Sequence, residues 1–270
     1  MFCVVARLLF HFFTMPFTFS HPAIILPFAK LEKGWVSLTG LIIGSVVPDF
    51  EYFMRMDTKS SHGHTFGGLF YFDVPLAILL CFLFHNLVRN SLIRNLPTGL
   101  QQRFIKITYF EWNIFFLRNW NLVILSIFIG ISSHFLLDSF TNGKGFAVNL
   151  IPFLKKQFIY NERPLFFHQI LYYLISISGL IMIAYSIWQM PLHRRFRPTK
   201  PSPFYWTIIA LINIVGYFFF LDLKTDDFMR DLYVPHFPNF LIIAIGSFFI
   251  GLLVASLLFA RKDRHKRQII

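Results

Sequence analysis

The feature of this sequence that most limits its possible folds is a series of long apolar runs. A helix that crosses a bilayer needs about 18 or more predominantly apolar residues. Five segments meet that requirement, namely residues 68–88, 120–140, 165–190, 204–221 and 239–260. Because only helices and closed barrels satisfy their backbone groups in lipid, these runs predict an all-α, polytopic transmembrane helix bundle with about five full spans.

Composition excludes the common soluble classes. The chain is 56% hydrophobic and 14% charged, whereas a soluble domain usually carries about 25% charged residues. The formal net charge of +12 does not indicate nucleic acid, because the basic residues lie between the apolar runs and not along one face. The two cysteines, Cys3 and Cys81, lack the spacing of a disulfide framework or a thiolate metal site.

Two shorter apolar stretches precede the first span. Residues 20–31 and 34–47 are separated by the charged residues Lys30, Glu32 and Lys33. They are short for independent spans, so we expect a helical hairpin that dips into the membrane or packs against the bundle. Residues 1–14 are either a weak signal-like segment or lie upstream of a start at Met15. We expect residues 1–270 to form a single integral membrane domain.

The distribution of Lys and Arg predicts an orientation in the cytoplasmic (inner) membrane of the cell. With the C-terminus inside, segments 30–33, 89–119, 191–203 and 261–270 are cytoplasmic and hold sixteen Lys and Arg residues. The opposite segments, 49–67, 142–164 and 222–238, hold eight. This bias places Asp49, His62, His64 and the Asp138 end of the second span on the extracytoplasmic side.

The clearest chemical motif is the pair His134 and Asp138. Residues four apart share one face of a helix, and these two lie at the end of an apolar span, where ionisable groups are costly and usually paired or functional. An imidazole and a carboxylate so placed can both ligate a metal such as zinc. A hydrogen-bonded pair that stabilises the helix end explains the same spacing equally well.

Three further candidates are individually weaker. His64 belongs to a Ser-His-Gly-His-Thr segment before the first span, in which His62 and His64 flank a glycine. Asp49 follows Pro48, which should end a helix, and on its own is more simply a solvated acid at that turn. Ser20 followed closely by Pro22 fits the N-cap of a helix, and His21 is then, on its own, an ordinary first-turn residue at the interface.

The predicted topology brings these candidates to one side of the membrane. His21, Asp49, His64, His134 and Asp138 would then meet at one depth as nitrogen and oxygen ligands, and Glu162 and His168 could join them. Asp73 lies inside a span, which favours an alternative in which acidic residues line an ion pathway.

The residues in these motifs resemble the DUF4184 family of bacterial membrane proteins. The similarity is carried by Met15-Pro-Phe-Thr-Phe-Ser-His21-Pro, by Gly44-Ser-Val-Val-Pro-Asp49, by Gly68-Leu-Phe-Tyr-Phe-Asp73 and by the stretch from Ser126 to Thr141 that contains His134 and Asp138. It covers residues 15 to about 180, which we take as the family-like region, with further spans and a basic tail over 181–270. Where the family often has a histidine after this stretch, the chain has Asn142.

The order of His, Asp, His and HxxxD is also similar, more distantly, to that of membrane-bound metal-dependent hydrolases and zinc-dependent phospholipase C. This similarity implies Zn²⁺ bound by His21, Asp49, His64, His134 and Asp138, with Asp49 or Asp138 as the catalytic carboxylate. It implies a hydrolase that acts on phosphoesters or lipid headgroups, with membrane lipids as partners. A transporter, an ion-handling protein or a purely structural membrane protein remain the alternatives.

Overall fold

The computed structural model describes residues 17–30, 34–57, 61–160, 163–223 and 237–267. Within these residues, five helices are long and apolar enough to cross a membrane: Phe66–Asn95, Trp112–Thr141, Phe167–Gln189, Pro203–Phe220 and Phe240–Ala260. We refer to them as the first to fifth spans. The prediction of an all-α, polytopic helix bundle is confirmed, and many large apolar side chains on the spans face outward, as lipid contact requires.

The first span is not a uniform α-helix. Its α-helical parts are Phe66–Gly68, Val74–Leu83 and Arg89–Asn95, and they are joined by two π-helical turns, Leu69–Asp73 and Phe84–Val88. Pro75 follows the first π turn and has no backbone N–H, which weakens regular α-helical bonding at that point. Single π turns inside helices occur often at functional sites, and the Leu69–Asp73 turn lies beside the site described below.

The N-terminal hairpin is helical, but its first arm differs from the expected one. Thr18–Lys30 is a 3-10 helix, and it contains Pro22 and Pro27, neither of which can donate a backbone hydrogen bond. It begins at Thr18, so the prediction that Ser20 caps its start is wrong. Residues 1–16 and 31–33, with the proposed start at Met15 and the acidic Glu32, lie outside the described residues.

The second arm of the hairpin is the α-helix Leu38–Val46, which Ser37 caps through a bond from the Gly40 amide. It packs against the second span closely enough that a Cβ on Gly44 would lie 2.4 Å from the Ile127 carbonyl oxygen. Small residues at such positions let two helix backbones approach in a membrane. Of the two positions expected for the hairpin, packing against the bundle therefore applies to this arm.

Shorter elements complete the chain. After Val46 a 3-10 turn, Val47–Asp49, leads into the helix Phe50–Arg55, so Pro48 ends the α-helix as predicted but the chain stays helical. The remaining helices are Thr98–Thr108, Phe146–Leu150 and the 3-10 segment Pro152–Lys155. One two-stranded antiparallel sheet, β1 (Gln157–Tyr160) with β2 (Arg163–Phe166), precedes the third span.

The chain divides into two compact units. The first comprises the described residues within Met1–Glu51, Ser61–Ile78 and Trp120–Gln189, and the second those within Tyr52–Ser60, Leu79–Asn119 and Met190–Ile270. The second unit contains the last two long helices, Pro203–Leu223 and Phe237–Arg267, which pack around a core of Tyr205, Ile209 and Ala255. The first unit contains every residue that the sequence predicts as a metal ligand.

Candidate metal centre

All five predicted ligands meet in one buried cluster of the first unit. His134 and Asp138 lie one turn apart near the end of the second span, and Asp49 lies in the 3-10 turn after the hairpin. His64 comes from the loop before the first span, and His21 from the N-terminal 3-10 helix. Two groups of three residues bring their ligand atoms within 4.8 Å of one another: His21, Asp49 and His134, and His64, His134 and Asp138.

Four atoms of the cluster, which we call the four-atom set, lie at separations that suit ligands of one metal ion. His64 Nε2 lies 3.3 Å from His134 Nε2 and 3.4 Å from both Asp49 Oδ1 and Asp138 Oδ2. His134 Nε2 lies 3.5 Å from the same Asp49 oxygen and 3.4 Å from the same Asp138 oxygen. Zn–N and Zn–O distances near 2.0–2.2 Å place tetrahedral ligand atoms about 3.3–3.5 Å apart. These five separations therefore fit a single zinc-sized ion.

The hydrogen bonding of the two carboxylates supports the same position for an ion. Asp49 Oδ2 accepts a 2.6 Å bond from the Thr18 hydroxyl, and Asp138 Oδ1 lies 3.4 Å from His21 Nε2. The other two oxygens, Asp49 Oδ1 and Asp138 Oδ2, are buried and have no hydrogen-bond partner among the described residues. Buried carboxylate oxygens are costly when they lack a partner. Both of these oxygens belong to the four-atom set.

Backbone carbonyls orient two of the histidines. His134 Nδ1 lies 2.9 Å from the Ser45 carbonyl oxygen, and His21 Nδ1 lies 3.2 Å from the Thr18 carbonyl oxygen. A carbonyl oxygen can only accept, so each Nδ1 donates and each Nε2 is directed into the cluster. Metal-binding histidines are usually held in this way by their second nitrogen. The two rings also stack, with centroids 4.1 Å apart.

The position of His64 depends on the loop that precedes it. A carboxylate that the sequence analysis does not predict holds this loop. Glu51 accepts hydrogen bonds from the backbone amides of Ser61, His62 and Gly63 at 2.7–2.9 Å, and from the Ser61 hydroxyl. His64 itself has a φ of 60°, a left-handed conformation that is uncommon for a non-glycine residue. In the sequence, the signal for this role is only an acidic residue two positions after Asp49.

Electrostatics within the cluster reflect the close opposite charges. Burial opposes ionisation of Asp49, but the neighbouring His134 and His64 outweigh it and hold the pKa of Asp49 well below its usual range. Burial also disfavours the charged form of His64, but the adjacent Asp138 and Asp49 outweigh it and raise the pKa of His64 to about 9. When no cation is bound, His64 therefore carries a proton near neutral pH.

The structure shows that two interpretations of isolated motifs were wrong. His21 is fully buried and is not an interfacial residue, and Asp49 is buried and not solvated. His62 is outside the cluster, with its Nδ1 3.0 Å from the Tyr71 hydroxyl. His168 is buried, but it belongs to neither ligand group and donates from Nδ1 to the Leu154 carbonyl. Glu162 lies outside the described residues.

Comparison with known proteins is consistent with the motifs. The profile of a family described as "Domain of unknown function (DUF4184)" matches residues 15–257. The chain belongs to the DUF4184 family. The match runs well past residue 180, so the last two spans belong to the family region too. No curated protein and no solved structure matches the chain, and its similarity to metal-dependent hydrolases stays an expectation.

Proposed function

We propose that this DUF4184 protein is a zinc-dependent hydrolase of the membrane. The observation that carries the proposal is the 3.3–3.5 Å spacing between two imidazole nitrogens, and between each of them and two carboxylate oxygens that have no other partner among the described residues, in a buried cluster. Nitrogen and oxygen ligands at this spacing suit Zn²⁺. His64, His134, Asp49 and Asp138 would hold the ion, and His21 would support it from the next layer by fixing Asp138.

The chemistry follows from the ligand set. A bound Zn²⁺ would act as a Lewis acid and would lower the pKa of a coordinated water molecule toward 7. Asp49 and Asp138 carry the negative charge that compensates the ion, and either carboxylate can orient a nearby water molecule or receive its proton. The similarity to phospholipase C suggests a phosphoester substrate, with lipid headgroups as the accessible source in a membrane.

The charge bias around the spans supports an extracytoplasmic site in the inner membrane. Sixteen Lys and Arg residues lie in the segments assigned to the cytoplasm and eight in the opposite ones. Lys144→Cys and Lys200→Cys test this orientation, since both side chains are exposed. An impermeant thiol reagent on intact cells should label the cysteine at 144 and not the one at 200, and the reverse pattern would place the site on the cytoplasmic side.

The decisive experiment measures metal and activity together. Protein purified in detergent without chelator should carry zinc at pH 8 and should hydrolyse a phosphodiester probe, bis(para-nitrophenyl) phosphate. Asp138→Asn should lower zinc content without unfolding the protein, because the amide keeps the shape of the carboxylate but not its charge. Wild-type protein that carries no metal would reject the hydrolase and favour a hydrogen-bonded structural cluster.

Ion handling is the second candidate, and Asp73 is the observation that favours it. This carboxylate is fully buried within the first span, where charged groups often mark ion pathways. Cation flux into proteoliposomes that is lost in Asp73→Asn, with no hydrolysis of the phosphodiester probe, would favour this candidate over the enzyme.

A further inference from the structure

Four carboxylates are buried among the described residues of the first unit, and three of them have a role in the site described above. Asp49 and Asp138 each contribute one oxygen to the four-atom set. Glu51 accepts hydrogen bonds from three backbone amides and a hydroxyl. The fourth, Asp73, is 0% exposed, and neither of its oxygens has a hydrogen-bond partner among the described residues. A buried carboxylate in that state is expensive and requires an explanation.

The position of Asp73 connects it to the metal centre. It is the last residue of the π turn Leu69–Asp73, and that turn contacts the 3-10 turn Val47–Asp49, which carries the ligand Asp49. His64 and His134 act on its charge through space, and so do Glu51 and Asp49. Among the buried residues described in this unit there is no Lys or Arg that could compensate Asp73.

The four-ligand set does not itself provide a group that holds a water molecule at the ion, and Asp73 can provide it. Four protein ligands close a tetrahedral zinc site, as in structural centres, whereas a catalytic centre needs a place for water. Zinc can expand to five ligands when water or substrate is present. Asp73 lies outside the ligand set and has both oxygens unbonded within the described part of the chain, so it is the group that would retain a water molecule at the fifth position. A purely structural site gives no reason to bury it.

We propose that Asp73 is the water-binding carboxylate of the metal centre, positioned by the π turn of the first span. Its oxygens accept hydrogen bonds from a water molecule at a fifth position beside the ion, and the cation in turn compensates its charge. This role rests on the proposed function, and it separates a catalytic centre from a closed structural one.

The test uses Co²⁺ in place of zinc, because its visible absorption is stronger in four-coordinate than in five-coordinate sites. Wild-type protein should bind one Co²⁺ with a weak band. Asp73→Asn should keep one Co²⁺, bind it about tenfold more weakly, as loss of an outer carboxylate usually does, and show the stronger four-coordinate band. Asp73→Glu, which keeps the carboxylate, should stay closer to wild type.

Controls separate the possible failures. Glu111→Gln removes a carboxylate that is exposed and belongs to the second unit, so its affinity and spectrum should match those of wild type. If Asp73→Asn also matches wild type, the water-binding role is wrong and the metal site stands. If Asp73→Asn does not fold, loss of the weak band in Asp73→Glu leads to the same conclusion. If wild-type protein binds no Co²⁺, the proposed function itself fails, and this inference fails with it.

Discussion

Gln101 in the second unit and three carboxylates in the first, Asp49, Asp73 and Asp138, are all buried, but their hydrogen bonding differs. In the second unit, Gln101 is buried, and its Nε2 lies within hydrogen-bond distance of the carbonyl oxygens of Arg94, Leu96 and Thr199. Its Oε1 accepts from the Thr199 amide at 3.0 Å. In the first unit, Asp49 Oδ1, Asp138 Oδ2 and both oxygens of Asp73 have no hydrogen-bond partner among the described residues.

The difference suggests a criterion: a buried side chain that only supports the fold uses all its polar atoms in hydrogen bonds, whereas one that binds a cation leaves an acceptor open. Neutral amides such as Gln101 and Asn95 link loop backbone to helix ends and use both their donor and acceptor atoms in doing so. Asp49 and Asp138 of the first unit are each held by one oxygen and leave the other open, an arrangement that a bound cation would complete.

The largest effect should come from His134, which belongs to both ligand groups. His134→Ala should weaken zinc binding by more than about 100-fold, because it removes a ligand and not merely a second-layer contact. His85→Ala is the matched control, since His85 is also buried in a span but belongs to the second unit. Chelator competition measures both. Equal loss in the two variants would mean that binding is adventitious.

The next effect is the dependence of zinc affinity on pH. With the pKa of His64 raised to about 9 from 6.5, its contribution to the stability of the metal-free fold is complete below pH 6.5 and is lost as pH rises through 9. Zinc needs the neutral imidazole, so affinity should rise about tenfold per pH unit across that window and then level off. An affinity that does not change between pH 6.5 and 9 would contradict the assignment of His64 as a ligand.

Glu51 should have a smaller effect that acts through His64. Glu51→Gln replaces one acceptor oxygen with an amide that cannot accept from the loop amides, so the loop should lose its hold on His64. We expect zinc to bind about 10–100-fold more weakly with unchanged stoichiometry. Glu51→Asp, which keeps both acceptors on a shorter side chain, should recover part of the affinity. Wild-type affinity in Glu51→Gln would show that His64 does not depend on this carboxylate.

The smallest effect on metal binding should come from the second unit. Gln101→Ala should reduce the free energy of unfolding by about 1–3 kcal/mol, because it leaves buried partners unsatisfied, and should leave zinc affinity unchanged. Thermal unfolding in detergent, with chelator competition alongside, measures both quantities. A loss of zinc affinity comparable to that of Glu51→Gln would remove the distinction between the two units.

Much of this protein follows from its sequence alone. Five apolar runs determine five spans, because the bilayer leaves the backbone of such segments little choice except a helix. The spacing of His134 and Asp138 places both on one helical face for the same geometric reason. Similarity to the motifs of metal-dependent hydrolases also predicted His21, Asp49 and His64 as partners of that pair.

Tertiary structure alone decided how those residues are used. Periodicity cannot show that Gly44 lets a helix approach the second span closely enough for the Ser45 carbonyl to orient His134. It also cannot distinguish a solvated acid from Glu51, which organises the loop of His64. Which carboxylate oxygens are bonded and which stay open depends on contacts between residues far apart in the chain. Those contacts exist only after the helices have packed, and they decide where a cation can bind.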